Sequence, residues 1–196
     1  MGNLSEIKPW ANIGKPKTLS ESHGRSFVTQ VFINPKTNTQ EEYSFLKGHK
    51  DSTVIFPVTT EKKILILRQF RHAADDILIE LPGGNIQPDE SQENAARREL
   101  LEETGYEAEK IITFKTSKHW FDPSALRSIY IPCIAIGCKK ITDPQQDSTE
   151  DLEIHSVSIK RWAEMIRDGL ITDSKTLATT LLALQYLNES LCSWQV

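Results

Sequence analysis

Gly83-Gly84-Asn85-Ile86-Gln87-Pro88-Asp89-Glu90-Ser91-Gln92-Glu93-Asn94-Ala95-Ala96-Arg97-Arg98-Glu99-Leu100-Leu101-Glu102-Glu103-Thr104-Gly105-Tyr106 is the stretch from which the rest of the chain can be read. It opens as a loop. Pro82 and the paired glycines end the strand that carries Ile77 to Leu81, and glycine reaches backbone angles that other residues avoid. Pro88, Asp89 and Glu90 read as a helix start, with proline where no donor is needed and acid in the first turn. Good helix formers continue to Thr104, and Gly105 is the expected C-cap. The order is therefore strand, glycine loop, helix, glycine stop.

The chemistry of this stretch lies in its carboxylates. Glu103 stands four residues after Glu99 and Glu102 three after it, which places all three on neighbouring turns of one helix face. Arg98, four before Glu102 and eight after Glu90, is close enough in angle to pair with both. Carboxylates crowded in this way repel one another unless a cation intervenes. Mg²⁺ suits the position: it prefers oxygen, keeps several waters and takes its remaining ligands from substrate phosphates. The Gly83 carbonyl can complete such a site. Taken alone, the cluster reads more simply as a solvated acidic helix face laced with ion pairs.

The full spacing changes that balance. Gly84, then Glu90, Arg98-Glu99-Leu100, Glu102-Glu103, Gly105 and a bulky apolar residue resemble the Nudix hydrolase box at every specified polar and glycine position. The single departure is Tyr106, where the family more often carries an aliphatic residue and where bulk and burial are what the site asks for. The resemblance implies the Nudix fold, an α/β/α sandwich around a mixed β-sheet. Strands on both sides of a helix, mixed with hairpins and a C-terminal helix, indicate an α/β or α+β domain with a mixed sheet, which agrees with that fold.

A chain of 196 residues fits one sizeable domain, or one domain with a small appendage. With 38% hydrophobic and 26% charged residues, its composition is that of a soluble globular protein. A net charge of −4 argues against a nucleic-acid binder driven by phosphate neutralisation. An anionic substrate must then be held by metal or by a local basic cluster. Cys133, Cys138 and Cys192 form neither a metal spacing nor an even disulfide set, and the first two lie in or beside an apolar strand as buried, reduced residues. A cytoplasmic protein is expected. Met1-Gly2-Asn3-Leu4-Ser5-Glu6 lacks the apolar core of a signal peptide, Glu6 stands where myristoylation needs Ser or Thr, and no apolar run approaches membrane-spanning length, so no membrane association is expected.

In order, residues 1 to about 22 are polar, without clear periodicity apart from an isolated Trp10. Residues 26–33 and 40–46 lean towards β-structure around Asn34-Pro35-Lys36-Thr37-Asn38-Thr39 and read as a hairpin with a longer loop. Residues 1–48 are expected to form an N-terminal tail and hairpin, and 49–196 the main domain. A hairpin alone is barely stable, so it must pack on that domain or on a second subunit. Val54–Val58 and Ile64–Phe70 are apolar, β-branched runs too short for helices, joined by the turn Thr59–Lys63. Arg68 and Arg71 follow at the end of the second run. Arginine suits phosphate, although surface charge at a strand end is an equal reading of the local sequence. Beside the box the phosphate role is favoured for at least one of them, Arg71 before Arg68. Ile111–Phe114 is a short strand and His119–Ser124 a loop. Ser128–Gly137 is a strong strand, with Pro132 suggesting an edge or bulge. Residues 139–151 form a polar loop, 154–159 a strand, and about 160–168 and 174–189 two helices. The second helix shows Leu177, Leu181, Leu184 and Leu187 as a core stripe.

The family likeness extends beyond the box. Arg68-Gln69-Phe70-Arg71, Glu80-Leu81-Pro82, Pro123 and Ile171-Thr172-Asp173-Ser174-Lys175-Thr176 resemble the ADP-ribose pyrophosphatase branch, which includes nucleoside diphosphate sugar hydrolases. Pro123-Ser124-Ala125-Leu126-Arg127-Ser128 departs from the glycine-rich, acid-ending turn common in that branch. The resemblance implies Mg²⁺-dependent hydrolysis of a nucleoside diphosphate linked to a sugar, ADP-ribose foremost, with Mn²⁺ as a substitute ion. It implies Glu99, Glu103, Glu102 and the Gly83 carbonyl as metal ligands, and a pair of Glu90 with Arg98 that locks the loop on the helix. Arg71, Arg68, Glu80 and Pro123 would lie at the substrate, and Glu150 would be the base that orients water, with Asp147 or Glu102 as alternatives. A homodimer built through the hairpin is expected. Trp10, Phe27 and Phe32 are the candidates for an adenine-stacking face. GDP-mannose and other sugar nucleotides stay open as substrates, as do nucleoside triphosphates. A non-catalytic nucleotide-binding module is disfavoured by the intact acids.

Overall fold

The computed structural model describes residues 7–48, 50–114, 118–145 and 151–187. The chain falls into two compact units, one drawn from residues up to Lys50 together with Trp120–Ser128, the other from Asp51–His119 and Ile129 onward. In the first, β1 (Ala11–Ser22), β2 (Arg25–Ile33) and β3 (Gln40–Gly48) form an antiparallel meander. The β2–β3 hairpin turns at Asn34–Thr39, where Asn34 N–H donates to Thr39 O at 2.9 Å and Asn38 takes a left-handed φ of 58°. β1 is a strand where the sequence shows no period, because it is exposed along nearly its whole length and has no buried face. Two shifts, between Ile13 and Lys17 and between Thr18 and Ser20, interrupt its pairing. The first is held by the Gln30 side chain, whose Nε2 donates to Ile13 O at 2.9 Å and Gly14 O at 3.2 Å.

The second unit contains β4 (Ser52–Thr59), β5 (Lys63–Arg71), β6 (Asp76–Glu80), α1 (Gln92–Thr104), β7 (Tyr106–Glu107) and β8 (Lys110–Thr113), followed after β9 (His119–Asp122) by most of β10 (Leu126–Lys140), then β11 (Leu152–Ser158), α2 (Ile159–Arg167) and α3 (Ser174–Tyr186). β10 runs parallel to β4 and antiparallel to β8 and β7, while β5 pairs antiparallel with β4, β6 and β11. The sheet is therefore mixed, as expected. Ile55, Leu65, Cys133 and Ala135 pack with Ala96 and Leu100 of α1. Alternation turns the fully buried Phe56 and Ile64 to the other face. α3 packs on β4, and α2 on β5 and β11.

Four local expectations are revised. α1 begins at Gln92, because Ser91 is the N-cap, with its Oγ accepting Asn94 N–H at 3.1 Å, and Asp89 sits at φ 62°, outside any helix. Part of the expected 119–124 loop is strand β9. Pro132 lies inside the parallel ladder opposite Val54, and the bulge falls instead between Ile136 and Cys138, at Gly137 with φ 69°. Strand alternation turns the Pro132 nitrogen away from β4, where no donor is needed, and its carbonyl takes Gln92 Nε2 at 3.4 Å. The leucine stripe of α3 is only part of its buried face: Leu184 is buried and Leu177 and Leu187 half-buried, but Leu181 is 42% exposed, and Thr176, Thr179, Thr180 and Ala183 share the buried side. Threonine is tolerated there because Thr176 accepts from Leu81 N–H and Thr180 from Trp162 Nε1.

Candidate active site

The glycine loop is stitched to β4 on one side. Ile55 N–H donates to Pro82 O at 2.9 Å, Thr53 N–H to Gly84 O at 2.8 Å, and Ile86 N–H to Asp51 O at 2.8 Å. Gly83 between them faces the other way, and its N–H donates to Glu103 Oε2 at 2.8 Å. Its carbonyl is not among those that β4 takes. Glycine is required at Gly83, where a Cβ would run into the Thr53 carbonyl, and a Cβ on Gly84 would lie 2.5 Å from the Glu99 carboxylate and push it aside. The Glu99 carboxylate thus rests directly against the loop.

Arg98 ties the loop to the helix. Nε and Nη2 form a fork onto Glu90 at 2.9 and 3.0 Å, Nη2 also reaches Asn85 O at 2.9 Å, and Nη1 bridges Glu99 at 2.8 Å and Glu102 at 2.9 Å. The Arg98 hydrogen bond holds the Glu90 carboxyl below the usual carboxylate range against the opposing pull of burial, with help from Gln87 N–H. Glu103 is 6% exposed, whereas Glu102 is nearly half exposed.

The two arginines expected at the substrate are both in ion pairs. Arg71 grips Glu80 through two bonds, Nε to Oε1 at 2.9 Å and Nη2 to Oε2 at 2.6 Å. Glu80 is only 3% exposed, so it positions Arg71 and presents little surface of its own. Nη1 of Arg71 donates no hydrogen bond among the described residues, and the Glu103 and Asp173 carboxylates lie near enough to add to its charge stabilisation. Arg68 donates to Glu153 at 2.8 Å in an exposed pair. Glu153 is held low first by its hydrogen bond with His155 and then by the Arg68 charge. Glu150 and Asp147 lie outside the described residues.

Pro123 belongs to the first unit. There it lines a cavity of about 410 Å³ walled by Trp10, Phe32, Tyr43, Phe45 and Trp120, with Arg127 at its edge. Trp10 and Phe32 each meet Tyr43 edge-on at 5.7 and 5.8 Å, and Arg127 lies over the Phe45 ring at 4.1 Å. Phe27 does not line this cavity. Walls of this kind suit a flat heteroaromatic ring.

A NUDIX domain family model matches residues 48–169. The chain belongs to the Nudix family. It is 30% identical over 191 residues to the methanol dehydrogenase activator of Bacillus methanolicus, covering 95% of each chain. It is 29% identical over 140 residues to the ADP-ribose pyrophosphatase of Bacillus subtilis, covering 71% of this chain and 72% of that one. A GDP-mannose pyrophosphatase of Salmonella arizonae is 31% identical over 151 residues, with 71% and 73% covered. The crystal structure of an ADP compounds hydrolase superposes with a TM-score of 0.80 over 94% of this chain and 97% of the other; at 17% identity this likeness concerns the fold.

Nudix hydrolases use divalent metal ions, and the residues present fit one. Glu99, Glu102, Glu103 and the Gly83 carbonyl are hard oxygen donors on two adjoining segments, suited to an ion that keeps most of its waters. Among the described residues no three acidic, histidine or cysteine side chains already converge as a cage. Arg98 Nη1 holds Glu99 and Glu102, and a cation would share those oxygens with it. Sequence reasoning missed the Asn85 carbonyl and the Gln87 N–H, which complete the Arg98–Glu90 lock. Backbone groups carry no residue-type signal. Among the described residues no helix is long and apolar enough to cross a membrane.

Proposed function

We propose that this Nudix hydrolase splits the pyrophosphate bond of a nucleoside diphosphate linked to a sugar, ADP-ribose foremost, giving a nucleoside monophosphate and a sugar phosphate. The observation that carries the reading is the box itself, with Glu99 seated against Gly84 and Glu103 bonded to the Gly83 N–H, so that carboxylates of the helix lie beside the glycine loop. Bound Mg²⁺, or Mn²⁺ in its place, supplies neutralisation of the pyrophosphate charge and a water of lowered pKa. Glu99, Glu103, Glu102 and the Gly83 carbonyl hold it. Arg98 is a positioning residue that keeps Glu99 and Glu102 in place, and Arg71 turns its free donor to a phosphate oxygen with Glu80 fixing the guanidinium. Pro123 and the aromatic walls beside it offer a seat for a heteroaromatic base. The test is a substrate panel with Mg²⁺: ADP-ribose, GDP-mannose, UDP-glucose, NADH and a nucleoside triphosphate, with products identified. Two monophosphates from a diphospho-sugar support the reading. Release of inorganic pyrophosphate from the triphosphate alone would replace it.

A second reading rests on the 95% coverage shared with the methanol dehydrogenase activator: the chain modulates a dehydrogenase. Adding the chain to an alcohol dehydrogenase assay, with and without Mg²⁺, separates this role from free substrate hydrolysis.

Two further outcomes follow. With Glu150 as the base that orients water, Glu150→Gln lowers kcat strongly while KM and metal affinity stay near normal, and Asp147→Asn does not; paired pH–rate profiles decide. With the N-terminal hairpin as a subunit contact, light scattering at micromolar concentration gives the mass of a homodimer, and a monomer would remove the idea.

A further inference from the structure

Thr176 stands in the first turn of α3 and is fully buried, and its Oγ1 accepts the Leu81 N–H at 3.0 Å across 95 residues of sequence. Leu81 opens the run Leu81-Pro82-Gly83-Gly84 from which the box hangs. The other holds on that run come from β4, which takes the Pro82 and Gly84 carbonyls, and from Glu103, which takes the Gly83 N–H. The Thr176 bond comes from an element far from the box in sequence. The threonine is itself rigid. Asp173 Oδ2 accepts the Thr176 N–H at 2.9 Å, and Asp173 Oδ1 is held by Lys175 Nζ at 2.7 Å.

We propose that Thr176 is a positioning residue for the metal site, its hydroxyl fixing the depth of the glycine loop so that the Gly83 carbonyl and the Glu103 carboxylate stay aimed at one point. This rests on the metal reading given above. Groups that orient metal ligands from behind commonly change metal affinity by about 10–100-fold when removed. Ligand sets also tolerate misplacement of only about 0.5 Å. Valine has the shape of threonine without the hydroxyl, so Thr176→Val keeps the packing but leaves the buried Leu81 N–H unpaired.

The experiment measures Mn²⁺ binding to the free protein by electron paramagnetic resonance, beside steady-state kinetics. Thr176→Val is expected to weaken Mn²⁺ binding about tenfold and to lower kcat, with the sugar nucleotide KM within about twofold of wild type. Thr176→Ser, which keeps the hydroxyl, binds like wild type. So does Thr179→Val, the same swap on the same buried helix face, where the hydroxyl has no partner among the described residues. Wild-type affinity in a folded Thr176→Val, or equal weakening in Thr176→Ser, overturns the inference. Should Thr176→Val not fold, amide exchange in the wild type decides. Mg²⁺ slows exchange of the Leu81 N–H about tenfold if the bond and the metal site are one unit, and unchanged exchange overturns it. Glu103→Gln separates the levels. If it binds Mn²⁺ like wild type, the metal reading falls and Thr176 with it; if it loses Mn²⁺ while Thr176→Val keeps it, only the role of Thr176 falls.

Discussion

Glu103→Gln is expected to lower kcat by about 10³-fold while the protein stays folded, the scale of losing one preorganised charge at a reacting centre. The fold survives because the Glu103 Oε2 that accepts the Gly83 N–H at 2.8 Å is replaced by an amide oxygen able to accept the same bond. What disappears is the negative charge. In a residue only 6% exposed, that charge is poorly screened, and it sits beside the Gly83 backbone. The loss should persist at saturating Mg²⁺, since a neutral oxygen cannot recover the missing charge by mass action. Thermal melting within a few degrees of wild type, together with the collapsed kcat, is the expected pair of results. Turnover like wild type at saturating Mg²⁺ would remove Glu103 from the metal site.

The legible and illegible parts of this chain differ for physical reasons. The box could be read because helix spacing alone brings Glu99, Glu102 and Glu103 to one face, and because Gly105 sits where a side chain does not fit. The apolar runs that became β4 and β5 were legible as short β-branched stretches between turns. β1 was hidden because it is exposed along nearly its whole length, so no buried face gives it a period of two, and two register shifts interrupt its pairing. The buried face of α3 was misread because threonine is polar by composition, and its partners, Leu81 N–H and Trp162 Nε1, are supplied by residues distant in sequence. The arginines show the same limit. Their residue type suggested phosphate, yet the carboxylates they grip lie on neighbouring strands: Glu153 directly opposite Arg68, and Glu80 on β6, four places along from the Arg71 partner Asp76. The helix start was placed too early because Asp89 adopts a left-handed conformation that its residue type permits but does not announce.

Arg98→Ala is expected to cost more stability than the loss of any other ion pair in the box. Arg98 is 23% exposed, and the carboxylates it forks or bridges, Glu90 and Glu99, are 14% and 13% exposed, so removal takes the guanidinium away from two largely buried charges. Breaking such an arrangement costs about 3 kcal/mol. The Glu102 contact adds little, because that carboxylate is 45% exposed. In a chain of this size the loss corresponds to a melting temperature lower by about 6–12 °C. Arg98→Lys should recover only a small part, because a single ammonium cannot make the two-pronged contact with Glu90 while also reaching Asn85 O, Glu99 and Glu102. The pH dependence gives the sign. The Arg98 hydrogen bond depresses the Glu90 carboxyl in the folded protein, so this contribution is fully present above the ordinary carboxyl pKa of about 4.3 and is lost as pH falls through the lower folded value. The gap in melting temperature between wild type and Arg98→Ala is therefore expected to be widest near neutral pH and to shrink below about pH 4. A gap that stays constant from pH 7 to pH 3 would mean that Arg98 stabilises the loop through its packing and its bond to the Asn85 carbonyl, and not through Glu90.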